Sequence, residues 1–140
     1  MSESSVAGWR SPPVDVPTLL REDDLNLEIP GVPWRVGFPM TVDLSPAHRG
    51  SWDELPGGAR PGRLRVTTDG ALWTVLGFDL FRIQPGGRMS VYDLAGETVM
   101  GPYGASDIRR HGELWFPPIA GDGLMVELYW PASLAELKPE

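Results

Sequence analysis

Seven residues near the end of the chain narrow the fold more than any others. Leu124, Val126, Leu128 and Trp130 alternate with Met125, Glu127 and Tyr129. A period of two over this length describes a strand with one face in a core and one mixed face. Just upstream, Pro117-Pro118 and Gly121-Asp122-Gly123 break the chain, as tight turns require. Residues 113–116 and 124–130 therefore read as two strands joined by a rigid loop, and the fold reads as β.

The same pattern recurs upstream. Leu64 and Val66 alternate with Arg63 and Arg65, predicting a strand over 63–67. Asp69-Gly70, Pro85-Gly86-Gly87 and Ala95-Gly96 are turn signals. They bound further strands over 72–84, 88–94 and 97–100. Within 72–84 the phase changes: Leu76, Phe78 and Leu80 share one parity, Phe81 and Ile83 the other. Either a bulge near 79–81 or a strand buried on both faces accounts for that shift. Residues 32–38 and 40–44 are also candidate strands, interrupted by Pro39. Ser45-Pro46 offers an N-cap and a first helical position for one or two helical turns, ended by Gly50. Residues 101–112 read as a polar connection.

Short strands with turns every eight to twelve residues predict an all-β, jelly-roll-like antiparallel β-sandwich of about seven or eight strands. Its expected limits are residues 31–131. Residues 1–30 form an N-terminal arm, partly ordered in its second half. Residues 132–140 form a C-terminal linker, with room for one helical turn near 134–137. Inside the body, Val126, Leu128 and Trp130 are expected to face Leu64, Val66, Phe78 and Val91. A length of 140 residues suits one domain with a real core. The 17 Gly and 15 Pro would be a sign of disorder were they not spaced between apolar runs that include six Trp.

Charge and composition exclude several classes. A net charge of −7 disfavours nucleic acid and anionic membranes. No apolar run is long enough for a transmembrane helix. The first ten residues have neither a basic start nor an apolar stretch, so no export signal is expected here, and a complete chain would be cytoplasmic. The absence of Cys excludes disulfides and thiolate metal sites.

Chemistry-bearing residues are few. The histidines are His48 and His111. Ser106, Asp107 and His111 lie close in sequence, but a hydrolytic triad needs a base held by an acid and facing a nucleophile. A turn-capping or half-buried His111 beside Trp115 is the plainer reading. No catalytic residue and no enzymatic activity are expected. Asp69, Asp79, Asp93, Glu97, Asp107 and Asp122 fall at turns, where Asp serves its own backbone. Turn carboxylates can also hold calcium, and Asp93 with Glu97 is the best such pair; no other cofactor is expected. Six Trp raise the idea of a carbohydrate-stacking surface. Trp130 reads as core, and Trp9, Trp34 and Trp52 as pins for irregular segments. Trp73 and Trp115 remain the ligand-binding candidates.

Four stretches occur in an order that resembles a known family. They are PWRVGFPMTVDLSPAHRGSWDELPGGA, RLRV, GALWTVLGFDLFRIQPGGRMSVYDLAGETVMGPY and HGELWFPPIAGDGLMVELYWP, spanning about residues 33–131. This is similar to the region preceding the catalytic domain of bacterial trypsin-like serine proteases related to lysyl endopeptidase. The most specific pieces are PGG followed by VYD, then GPY, then HGELW with its following PP, GD and VEL. The resemblance implies a secreted, non-catalytic pro- or accessory β-domain. Such a domain would assist folding, latency or targeting by binding a protease domain in cis or trans. It carries over no catalytic residue. The alternative is a stand-alone jelly-roll module that binds carbohydrate or calcium.

Overall fold

A computed structural model describes residues 6–45 and 49–134. Two compact units divide them. One takes in residues up to Ser11 and from Leu44 onward, and the other is Pro12–Asp43. The boundaries lie at 11/12 and 43/44, not at 30/31, because the first strand belongs to the β body and the segment after it does not.

The larger unit is all-β and sandwich-like. Its main sheet contains β1 (Gly8–Arg10), β2 (Ser51–Trp52), β3 (Arg60–Thr67), β6 (Arg88–Asp93), β7 (Val99–Tyr103) and β10 (Gly123–Trp130). The order is β1-β3-β10-β6-β7, with β2 also on β3. Four more strands, β4 (Trp73–Thr74), β5 (Gly77–Phe78), β8 (Leu114–Trp115) and β9 (Ile119–Ala120), form the pairs β4–β9 and β5–β8. The sheet is mixed and not purely antiparallel, since β1 runs parallel to β3, with Trp9 opposite Val66. β1 and β2 share one edge of β3: β2 lies against Gly62 and Arg63, and β1 against Arg65 to Thr67.

The strand that opened the sequence reading is the centre of this sheet. β10 pairs antiparallel with β3 and with β6, placing Val126 between Leu64 and Val91. Leu124, Val126, Leu128 and Trp130 are all buried and join Val66, Met89, Val91, Phe81, Ile83, Leu114, Phe116 and Ile119 in one core. Phe78 packs against that core while partly exposed. The alternation therefore chose the correct face.

Its opposite face is less open than the alternation implies. Met125 is also buried. Its ladder neighbours are Arg65 and Tyr92, and on a central strand such long side chains hide even the outer face. Two residues along, Arg63 Nε donates to Glu127 Oε2 at 2.7 Å. This bond raises the Arg63 pKa above its usual value, with burial opposing. A raised arginine value means its contribution is complete below the ordinary arginine range and is lost only in strong alkali. We expect Leu128→Ala to cost about 2–5 kcal/mol. Glu127→Ala should cost about 0.2–1 kcal/mol, because the pair is one-third exposed and screened. Urea melts of the two variants check the register: a larger loss in Glu127→Ala would mean that its face matters more than the core.

Several other expectations are corrected. No strand forms over 32–38 or 40–44. Pro33 and Pro39 remove donors that a ladder needs, and Trp34, Val36, Phe38 and Val42 are exposed. The expected strand over 72–84 is two short pieces, β4 and β5, followed by irregular chain. The phase shift marks a real break, after which Phe81 and Ile83 turn into the core while Leu80 is exposed. The expected strand at 97–100 lies at Val99–Tyr103 and extends into the supposed polar connection, which continues as a 3-10 turn at Ala105–Asp107. Another 3-10 turn, Ala132–Leu134, follows β10. Pro46, His48 and residues 135–137, which carry the remaining helix expectations, lie outside the described residues.

The smaller unit holds one helix, α1 (Val16–Leu27). Asp15 caps it by accepting from Thr18 N at 3.1 Å and Thr18 Oγ1 at 2.7 Å. The Thr18 hydroxyl, then its backbone N–H, holds the Asp15 carboxyl below the usual aspartate value. Pro17 in the first turn has no donor to leave unsatisfied. Beyond the helix the chain turns at Gly31, and Arg35 meets Glu22 at 2.9 Å and Asp23 at 3.3 Å.

Candidate functional site

The pairs β4–β9 and β5–β8 are one ribbon interrupted by a bulge. Thr74 lies opposite Ile119 and Gly77 opposite Trp115. Between them Phe116 N–H donates to Leu76 C=O at 2.9 Å, and at the far end Gly121 N–H donates to Leu72 C=O at 2.8 Å. From Leu76 to Thr74 is two steps, but from Phe116 to Ile119 is three. The extra residue falls at Pro117-Pro118, which carry no N–H to pair, as a bulge requires.

This register sorts the ribbon into two faces. Thr74, Leu114, Phe116 and Ile119 are buried, and Leu76 and Phe78 pack against the core. Phe78 and Tyr103 both meet the Phe116 ring edge-on, at 6.2 and 5.0 Å between centroids. Buried Thr74 donates to Gly121 C=O at 3.0 Å and shares a 2.7 Å bond with the Thr68 hydroxyl. That leaves no unsatisfied hydroxyl under the ribbon.

The other face carries the two tryptophans singled out from the sequence. Trp73 is 62% exposed, Val75 52% and Trp115 63%, and together they make an apolar strip. Trp115 lies over Gly77: a Cβ there would come within 2.4 Å of its six-membered ring. The ring thus occupies the space of the absent side chain and is held against the backbone. Asp79 and Glu113, both exposed, come directly after the last ladder pair, Phe78 with Leu114. They therefore adjoin the Gly77–Trp115 end of the ribbon. The strip is aromatic and apolar along most of its length and acidic at one end.

The other residues singled out from the sequence lie elsewhere. Asp93 Oδ1 accepts from Glu97 N at 2.8 Å and Thr98 N at 3.2 Å, closing the β6–β7 turn. Glu97 enters that arrangement through its backbone. Among the described residues, no group of three or more His, Asp or Glu is placed to hold a metal ion. Asp107 Oδ2 accepts from Gly104 N at 2.7 Å, so this carboxylate stabilises its own turn. Ser106 and His111 are exposed, and His48 is outside the described residues. Asp69 pairs with Arg10 across the exposed end of β3. Trp9 and Trp52 pack on the core, Trp130 is inside it, and Trp34 is exposed in the smaller unit.

Of the residues at the strip, the sequence singled out the two indoles as ligand candidates and Asp79 only as a turn carboxylate, and it passed over Val75 and Glu113. The signal was present, since Trp73, Val75 and Gly77 alternate with Thr74, Leu76 and Phe78. No protein-family model matches the chain, and no solved structure matches its fold. No described helix is long and apolar enough to cross a membrane.

Proposed function

We propose that the chain is a non-catalytic accessory domain of the kind found beside trypsin-like serine proteases. It acts by binding, and its all-β body is a jelly-roll-like sandwich of the secreted type that the sequence resemblance implies. The observation that carries this reading is where the resembling residues fall. Pro85-Gly86-Gly87 is the turn into β6, with Gly86 at φ 95°. The VYD that follows ends β6, GPY ends β7, and VEL lies in central β10. HGELW leads into β8, so Trp115 of the exposed strip belongs to the same segment. The resemblance therefore concentrates on residues that set this fold and its exposed ribbon.

The reading is tested with a lysine-specific trypsin-like catalytic domain. It is refolded from denaturant with and without the chain at micromolar concentration, and the native enzyme is assayed with the chain added. We expect a several-fold gain in recovered peptidase activity, or a concentration-dependent slowing of peptide hydrolysis. No change in either assay would remove the protease connection.

A further inference from the structure

We infer that the strip formed by Trp73, Val75 and Trp115 is a binding platform for a neutral chain of pyranose sugars. This goes beyond the protease reading and does not depend on it.

The first argument is presentation. Both indoles are more than 60% exposed on one face of one ribbon. Large aromatic side chains dominate burial energetics and are costly to leave in water without a partner. Trp115 is also fixed in place, because its ring lies over Gly77. A ring already held against the backbone loses little conformational freedom when a ligand covers its open side. Below it, Leu114 and Phe116 anchor the strand in the core. Thr74 does the same beside Trp73 through its two hydrogen bonds.

The second argument is spacing. Trp73 and Gly77, which underlies Trp115, are four residues apart. At about 3.3 Å per residue the two positions are separated by roughly 13 Å. That exceeds the length of a single sugar ring, so a ligand touching both indoles is an oligomer. Val75 supplies apolar contact between them.

The third argument is the polar surroundings. A pyranose has an apolar C–H face and a rim of hydroxyls. Exposed Asp79 and Glu113 at the Trp115 end of the strip offer carboxylate oxygens to hydroxyl donors. Hydrogen bonds to ionised acceptors are the stronger kind. The same two carboxylates, on a chain of net charge −7, repel sulfated or uronic polymers. The ligand is therefore neutral. A protein partner suits the strip poorly, since a stable protein interface uses about 20–30 residues a side. Here the three side chains of the strip, with exposed Leu72 and Leu80 beyond its two ends, are bordered by two carboxylates and by Pro117-Pro118.

The test uses the whole chain and three neutral polymers: a β-1,4-glucan, a β-1,4-linked N-acetylglucosamine polymer and an α-glucan. Heparin serves as the anionic control. Retention on each solid polymer is measured, followed by titration of the soluble oligosaccharide with tryptophan fluorescence. We expect retention on at least one neutral polymer, with an affinity in the micromolar to millimolar range and none for heparin. Trp73→Ala and Trp115→Ala should each weaken binding at least tenfold, and the double variant should abolish it. Trp34→Ala, an exposed tryptophan of the other unit, should leave binding unchanged. Thermal melts confirm that the variants remain folded. The inference is overturned by failure to bind all three polymers, by binding that survives the double variant, or by salt-sensitive binding to heparin instead. If the double variant also loses the effect on the protease while no polymer binds, the strip is a protein contact and only the protease reading stands. Polymer binding without any effect on the protease leaves the sugar platform standing alone.

Discussion

Trp130→Ala is expected to lower the free energy of unfolding by about 3–5 kcal/mol. Trp130 is the last residue of β10 and is 2% exposed. Its indole is part of the core, and its Nε1 donates to Leu134 C=O at 2.7 Å. Truncation therefore opens a large cavity and leaves a carbonyl of the following 3-10 turn without its donor. The two contributions separate in Trp130→Phe, which keeps most of the apolar volume and loses only the bond. A single hydrogen bond is worth about 0.5–1.5 kcal/mol net, so the Phe variant should recover most of the loss. Urea melts that shift in midpoint with unchanged slope would report stability alone. Equal losses in the two variants would mean that the bond, and not the packing, holds this end of β10.

Gly101→Ala is the second change with a large expected effect. β6 and β7 slip by one residue between the pairs Val91–Met100 and Met89–Tyr103, and Gly101 lies in that bulge. Its φ is 108°, and an added Cβ would come within 2.7 Å of the Met89 carbonyl oxygen. Holding a non-glycine residue there costs about 1–3 kcal/mol. The overlap adds roughly 1–3 kcal/mol, because Met89 is in the core and its backbone is bound to β10. Gly96 is the internal control. It has φ 74° in the turn of the same hairpin, with open space where a Cβ would be, so Gly96→Ala bears only the conformational cost of about 1–2 kcal/mol. If the two alanine variants melt together, β7 moves away from Met89 more easily than an inner ladder should.

The sequence was most legible where one face meets the core over several residues. β3, β6 and β10 are four or more alternating residues each, and turn glycines mark their ends. Legibility failed where an element is shorter than the pattern that identifies it. β1 has three residues and five other strands have two; alternation over so few positions carries no information. The helix α1 left a local sign in Asp15 followed by Pro17, an N-cap with proline in the first turn. Its twelve residues bury none of their number, so the apolar stripe that would have confirmed it is missing. Residues 32–44 misled in the opposite direction, because their alternation is real and yet Pro33 and Pro39 interrupt any ladder.

The candidate site was legible by residue type and not by arrangement. Trp73 and Trp115 stood out because six Trp raised the idea of a stacking surface and these two read neither as core nor as pins for irregular segments. What puts them on one strip is the pairing of Gly77 with Trp115 across a long loop, with the Pro117-Pro118 bulge keeping the faces in phase. Such register is decided by the core beneath, through Thr74, Phe116 and Ile119, and no local window contains it. The turn carboxylate of Asp93 is the converse case, since its nearest backbone donors account for it.

The joint covering of β3 by β1 and β2 matters for what happens when the chain is cut. A strand edge left bare presents a row of unpaired N–H and C=O groups, which templates pairing with another molecule. Two short strands hide that edge here, one from each side of the separate unit in the chain: β1 before it and β2 after it. Cleavage within the intervening segment would leave β1 held without a covalent link: by backbone bonds to β3, including Arg65 N–H to Ala7 C=O at 2.9 Å and Ser11 N–H to Thr67 C=O at 2.8 Å, by the Arg10–Asp69 pair, and by Trp9 against the core. Loss of that short peptide would uncover Arg65 to Thr67 and turn a protected margin into an adhesive one. Residues 7–11 thus cover an edge that would otherwise invite self-association, and a chain that has lost them should be judged by its colloidal behaviour before its binding.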